Sequence, residues 1–277
     1  MRHPISAAVV MTSACLVATA GAQRTATIDT PAGGVTVPMK DFGSRPVVDV
    51  KIGEAAFSMV LDTGAAGTVM DPARLNGRQG IGVLPELTIG ALKVRDLPVY
   101  KQPLLSGGSA AADAPAGVLS AAAFPGFLLT LDYPAKTISI VRGALPPADG
   151  KRIFEYDATE VLPVVPVVVA GRTCVIHVDS GAPTGVMLPL HYAKELPLSA
   201  ELTPAGHART VAGEFDVFTA PVKAAITLGE FTLDVPLVRF SDLRPGPQPG
   251  IGHIGNDVLK TFKLTFDSAN RRLKFER

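Results

Sequence analysis

The chain contains no tryptophan and only two cysteines, and its aromatic share is 6%. One cysteine, Cys15, lies in an apolar stretch near the N-terminus. Once that stretch is removed, Cys174 stands alone and no intramolecular disulfide can brace the fold. Cys174 sits among Val and Ile, which fits a buried, inert thiol rather than a nucleophile. An excess of one charge is also missing. The 26 basic and 25 acidic side chains leave a formal net charge of +1, interspersed along the sequence. That balance gives no electrostatic argument for a nucleic acid or an anionic membrane as partner. Zinc-type Cys and His spacings are absent, so a metal site imagined from His177, Asp179 and His191 has no motif behind it. Ser180 is not framed by a Gly-x-Ser-x-Gly elbow. The glycines at 77, 80 and 82 lack the lysine and the following helix of a phosphate-binding loop.

What is present favours strands. The 277 residues are 47% apolar, with 27 glycines and 24 prolines. That is enough for a sizeable core, in one large domain or two modest ones, built of short strands and turns rather than long helices. Residues 1–22 read as a signal peptide. Arg2 and His3 precede an apolar stretch, and Ala20-Gly21-Ala22 has the small-x-small pattern of a cleavage site. Cleavage places the mature start near Gln23 and the protein in the periplasm or outside the cell. The apolar stretch is short for a membrane span, and the polar residue three before Cys15 makes a poor lipoprotein signal.

An internal repeat organises the remainder. Gly117-Val118-Leu119-Ser120 aligns with Gly252-His253-Ile254-Gly255 at an offset of 252 − 117 = 135. The offset persists through Phe127 on Phe262, Thr130 on Thr265, Asp132 on Asp267 and Ile140 on Phe275. Leu87-Thr88-Ile89-Gly90 likewise matches Ile226-Thr227-Leu228-Gly229. Such self-similarity means two copies of one unit, here residues 23–145 and 146–277, joined by the polar, turn-rich stretch 142–150. Short helices are expected at 72–75, 190–196 and 257–260, and a mobile loop over the small residues 106–116.

Each copy carries one motif at the end of an apolar, β-branched run: Leu61-Asp62-Thr63-Gly64-Ala65 and Val178-Asp179-Ser180-Gly181-Ala182, spaced by 179 − 62 = 117. A carboxylate at the end of a buried strand is costly unless something satisfies it. The hydroxyl that follows, and a glycine that lets the backbone turn beside the carboxylate, are suitable partners. A lone Asp-Thr-Gly would read as a capped turn, whereas a pair in matching contexts points to a dyad.

At these residues the chain resembles the aspartic peptidases, and the alanine closing both motifs is similar to retropepsins. The resemblance covers most of the chain after the leader. It implies an all-β fold of two pseudo-symmetric, retropepsin- or pepsin-like barrel lobes with a central cleft. It implies an aspartic endopeptidase in which Asp62 and Asp179 activate a water, Thr63 and Ser180 hydrogen-bond across the lobe interface, and Gly64 and Gly181 present amides to the carboxylates. No cofactor is needed, the partner is a peptide or protein substrate, and a monomer suffices because one chain holds both aspartates. A strand ending in two apolar residues and glycine packs behind each aspartate loop in this family. Ile254-Gly255 fits, while Leu119-Ser120 departs from it. The flap expected over the cleft falls on residues 206–218, with Gly206, Thr210, Val211 and Gly213 as candidate substrate contacts, and the first copy has only a stub over 76–84. Both segments also read as ordinary surface hairpins. The competing function is a secreted binding or scaffold protein that keeps the fold without efficient cleavage.

Overall fold

The computed structural model describes residues 26–75, 77–104, 114–157, 162–210, 213–241 and 251–277. The expected leader over 1–22, and most of the small-residue stretch 106–116, lie outside the described residues. Within them the chain is all-β. The exceptions are one helical turn at Asn256–Leu259 and 3-10 turns at Pro72–Arg74, Ala121–Ala123 and Leu190–Lys194. Three of these four lie where short helices are expected. The turn at Ala121–Ala123 follows Ser120, whose Oγ accepts the Ala122 amide as an N-cap. No helix among the described residues is long and apolar enough to cross a membrane.

Three sheets hold the strands. In the first, the strand Ala55–Asp62 lies between Arg45–Ile52, antiparallel, and Gly117–Ser120, parallel. Thr68–Met70 continues the sheet antiparallel to Gly117–Ser120 and parallel to Leu92–Lys101. The third sheet repeats that order. Arg172–Val178 lies between Val164–Val169, antiparallel, and Gly252–Ile254, parallel. Val186–Pro189 then runs antiparallel to Gly252–Ile254 and parallel to Val238–Ser241. A six-stranded sheet draws its strands from both halves of the chain, and its central pair is Phe127–Asp132 with Lys263–Asp267. Thr130 there faces Thr265, its own counterpart at offset 135, and their hydroxyls are 3.0 Å apart.

The alternation of each strand sorts its side chains. Met59 and Leu61, like Ile176 and Val178, enter one core cluster that runs through all three sheets. Val60 and His177 turn to the opposite face, as do the aspartates two residues on. Residues 143–149 form neither strand nor helix, yet Leu145 is buried. Its amide donates to Asp267 Oδ2 at 2.8 Å and its carbonyl accepts from Arg272 at 3.0 Å, so this connection is docked on the sheet.

The hairpin expected near 206–218 forms from Thr203–Thr210 and Gly213–Ala220, with a bulge between Pro204 and Gly206. Thr210 pairs with Gly213 at its end, and Val211 lies outside the described residues. Ala208 and Val217 pack on Met187 as a small cluster apart from the main core. The first copy differs from expectation. Residues 80–84 make no separate stub, because Gly80–Ile89 is one strand paired with Leu92–Lys101 in a single register from Gly80 with Lys101 to Ile89 with Leu92. Ile81 and Val83 alternate with the two glycines, and that period of two extends the ladder instead of closing a turn.

Candidate active site

Asp62 ends the strand Ala55–Asp62 and Asp179 follows directly on Arg172–Val178. They are only 1% and 2% exposed. Neither buried carboxyl is left unsatisfied. The Gly64 amide donates to Asp62 Oδ1 at 2.7 Å, and the Gly181 and Ala182 amides donate to Asp179 Oδ1 at 2.9 and 3.0 Å.

The two turns interlock. The Thr63 amide donates to Ser180 Oγ at 3.0 Å, and the Ser180 amide donates to Thr63 Oγ1 at 3.0 Å. Thr63 Oγ1 in turn donates to the Val178 carbonyl and Ser180 Oγ to the Leu61 carbonyl, each at 2.7 Å. Both hydroxyls act as acceptor and donor at once, which holds two loops 117 residues apart in one register. The glycines complete the reciprocity. A Cβ on Gly64 would lie 2.6 Å from Asp179 Oδ1, and one on Gly181 would overlap the Asp62 carboxylate. Each motif thus seats the other's carboxylate on its own bare α-carbon, and the two carboxyls are hydrogen-bonded to each other.

Burial dominates the electrostatics of the pair. It raises Asp62 from the usual 3.8 to about 6, against the opposing pull of the Gly64 amide, the Asp179 hydrogen bond and the Arg45 charge. Asp179 is raised well above the usual carboxylate range, first by burial and then by the charge of Asp62. Carboxyls this close cannot both ionise cheaply, so the pair shares one proton between its two titration steps.

Three residues beside the dyad had no role assigned from sequence. Arg45 is buried, donates through Nε to the Gly181 carbonyl at 3.0 Å, and acts on both aspartates. A basic residue at the mouth of the apolar run Pro46-Val47-Val48 was its one visible signal. Asn256 Nδ2 donates to the Ser180 and Ala182 carbonyls at 2.6 and 3.0 Å. The Tyr133 hydroxyl, from the other repeat, donates to Asn256 Oδ1 at 2.6 Å. Nothing local in the sequence marks that pairing.

The departure at Ser120 is also accounted for. Gly255 has no room for a side chain, since a Cβ would lie 2.5 Å from the Thr184 carbonyl and 2.7 Å from that of Ala182. Its counterpart Ser120 fits because its Oγ donates to the Ala65 carbonyl at 2.6 Å. Ala65 and Ala182 correspond at offset 117, and both carbonyls are satisfied, by Ser120 in one repeat and Asn256 in the other.

Of the remaining candidate residues, Gly206 and Gly213 lie in the paired strands of the hairpin rooted beside Val238–Ser241, with Thr210 at the hairpin's end. Among the described residues no cluster of three or more His, Cys, Asp or Glu has the spacing to hold a metal. No family model matches the chain, and no curated protein matches it in sequence. The chemistry the site can perform therefore follows from its geometry alone: two buried carboxyls sharing one proton form an acid and a base side by side.

Proposed function

We propose that the chain is a secreted aspartic endopeptidase, built as two retropepsin-like lobes over residues 23–145 and 146–277 that meet at the dyad. The observation that carries this reading is the reciprocal seating of Asp62 on Gly181 and Asp179 on Gly64, locked by the crossed Thr63 and Ser180 bonds. A turn that merely capped a strand would need no partner motif. The matching strand orders of the first and third sheets support the two-lobe description.

In the reaction, a water sits between the carboxyls. Ionised Asp62 takes a proton from it as its oxygen attacks the peptide carbonyl carbon. Protonated Asp179 donates to the carbonyl oxygen, giving a neutral gem-diol. Collapse breaks the C–N bond as the Asp62 proton passes to the leaving nitrogen and Asp179 takes a proton from one gem-diol hydroxyl, so the pair ends with one proton, as it began. The dyad supplies both acid and base without a cofactor. One chain carries both aspartates, so the working unit is a monomer, its partner a peptide or protein substrate. On this reading the hairpin Thr203–Thr210 with Gly213–Ala220 is the flap that covers bound substrate. The absence of a counterpart hairpin among the described residues of the first repeat favours the second reading, a binding protein with the fold but little turnover.

Incubating the mature chain with a proteome-derived peptide library, beside Asp62→Asn and Asp179→Asn, separates the two. Products formed by wild type and by neither variant support the peptidase. No products under any pH from 3 to 8, or products from all three proteins, would end that reading.

A further inference from the structure

Two histidines, His253 buried and His177 half-buried, flank Asp179 where valines flank Asp62. Val60, two residues before Asp62, pairs with Val47 on one side and Val118 on the other. With Ala65 these valines form an apolar cluster separate from the main core. The repeat offsets carry Val47 to 47 + 117 = 164, Val60 to 60 + 117 = 177, and Val118 to 118 + 135 = 253. The second wall is accordingly Val164, His177 and His253, paired side by side.

Neither histidine serves the dyad chemistry. His177 Nδ1 is buried without a hydrogen-bond partner, an unusual cost for a side chain on a packed strand. His253 is 3% exposed, with Nε2 at 3.1 Å from Thr184 Oγ1. Burial pushes both rings down to about 4, so both are neutral near pH 7, and Arg239 adds its repulsion at His253. Arg239 lies in the same cross-strand row: it pairs with Met187, which pairs with His253, so their side chains share one face. Arg239 forms no salt bridge with a carboxylate among the described residues. An apolar ligand would leave the ring nitrogen and the guanidinium unanswered, and an amide would leave the charge. A carboxylate answers both.

We infer that the wall beside Asp179, formed by His177, His253 and Arg239, binds an acidic side chain of the substrate, while the valine wall beside Asp62 binds an apolar one. The inference rests on the peptidase reading and names its substrate class: peptides with Asp or Glu on one side of the cleaved bond and an apolar residue on the other.

The test takes a cleaved library peptide and varies each residue flanking its scissile bond among Asp, Asn and Val. Wild type should cleave the Asp peptide with a kcat/KM about ten- to a hundredfold above the Val peptide, at one flanking position only. The double variant His177→Val with His253→Val, which copies the other wall, should reverse that ratio. Arg239→Met should narrow the Asp-over-Asn preference, and it carries the test if melting shows the double variant unfolded. A Val preference at both positions, an Asn preference over Asp, or ratios unchanged in the variants would overturn the acidic subsite. If no peptide is cleaved, calorimetric binding of the same peptides decides. Asp-dependent binding that the variants lose keeps the subsite and retires the peptidase reading; its absence retires the subsite.

Discussion

The α-carbon of Gly64 lies against the carboxylate of Asp179, so close that a methyl group on it would sit 2.6 Å from Oδ1. Gly181 stands in the same relation to Asp62. Gly64→Ala and Gly181→Ala should each displace the opposite carboxylate and lower kcat by about a hundredfold or more, the scale of a 1 Å misplacement. Steady-state kinetics beside thermal melting make the check. Wild-type turnover in either variant would show that the close seating is dispensable.

The dyad should also cost the fold stability. Burial holds Asp62 at about 6 against 3.8 in the unfolded chain, so between those values the native state binds more protons than the unfolded state. The contribution of Asp62 to stability is therefore fully present below about pH 4 and is lost as pH rises through about 6, by on the order of 1–3 kcal/mol. Asp62→Asn removes that titration. Urea unfolding should find the variant more stable than wild type at pH 7, with the gap closing at pH 4. A wild type no less stable at pH 7 than at pH 4, relative to the variant, would contradict the buried, shared proton.

Hydrolysis should follow the same proton. Activity requires one proton on the pair, so it should fall below about pH 6 as the pair takes up its second, and the loss on the alkaline side should lie above the usual carboxylate range because burial raises Asp179. The strongly acidic optimum common to exposed carboxyl pairs is not expected here. A kcat/KM profile from pH 3 to 9 peaking near pH 4 would place the dyad in a wetter setting than its burial implies.

Ser120 and Gly255 occupy matching positions but should answer differently to change. Gly255→Ala drives a Cβ into the Thr184 and Ala182 carbonyls and should destabilise by about 2–4 kcal/mol. Ser120→Ala fits the space but strands the Ala65 carbonyl, costing roughly 1–2 kcal/mol. Denaturant midpoints of the two variants test the order, and a larger loss at Ser120 would reverse this account of the two loops.

Tyr133→Phe should loosen the Asp179 loop by leaving Asn256 Oδ1 without its donor. A loss of roughly 1–3 kcal/mol, with kcat reduced more than KM is raised, is the expected outcome. An unchanged kcat would mean that Asn256 holds the loop without help from the other repeat.

The parts of this arrangement legible in the sequence are those written in local pattern. The strand runs ending in Asp62 and Asp179, their hydroxyl and glycine neighbours, and the offset of the two repeats all appear within short windows. Arg45, Tyr133 and Asn256 do not. Arg45 meets Gly181 across 136 residues and Tyr133 meets Asn256 across 123, so no period or spacing announces either contact. The misreading at 76–84 has the opposite origin. Its glycines signal a turn locally, but ladder pairing with Leu92–Lys101 keeps Gly80 and Gly82 in a strand. His177 was visible as a strand neighbour of Asp179, yet only the pairing with His253 makes the two a wall.

Arg45 has no twin. The offset that carries Asp62 to Asp179 carries it to 45 + 117 = 162, which is Leu162. Two identical chains meeting at a dyad would place an arginine beside both carboxyls or beside neither, and would leave to chance which of them held the proton. Here the asymmetry is written into the covalent sequence, at Arg45 against Leu162. On the peptidase reading, a peptide laid across the site in one direction would meet the two carboxyls in one order, and laid the other way in the reverse, so the polypeptide would have a right and a wrong way to enter.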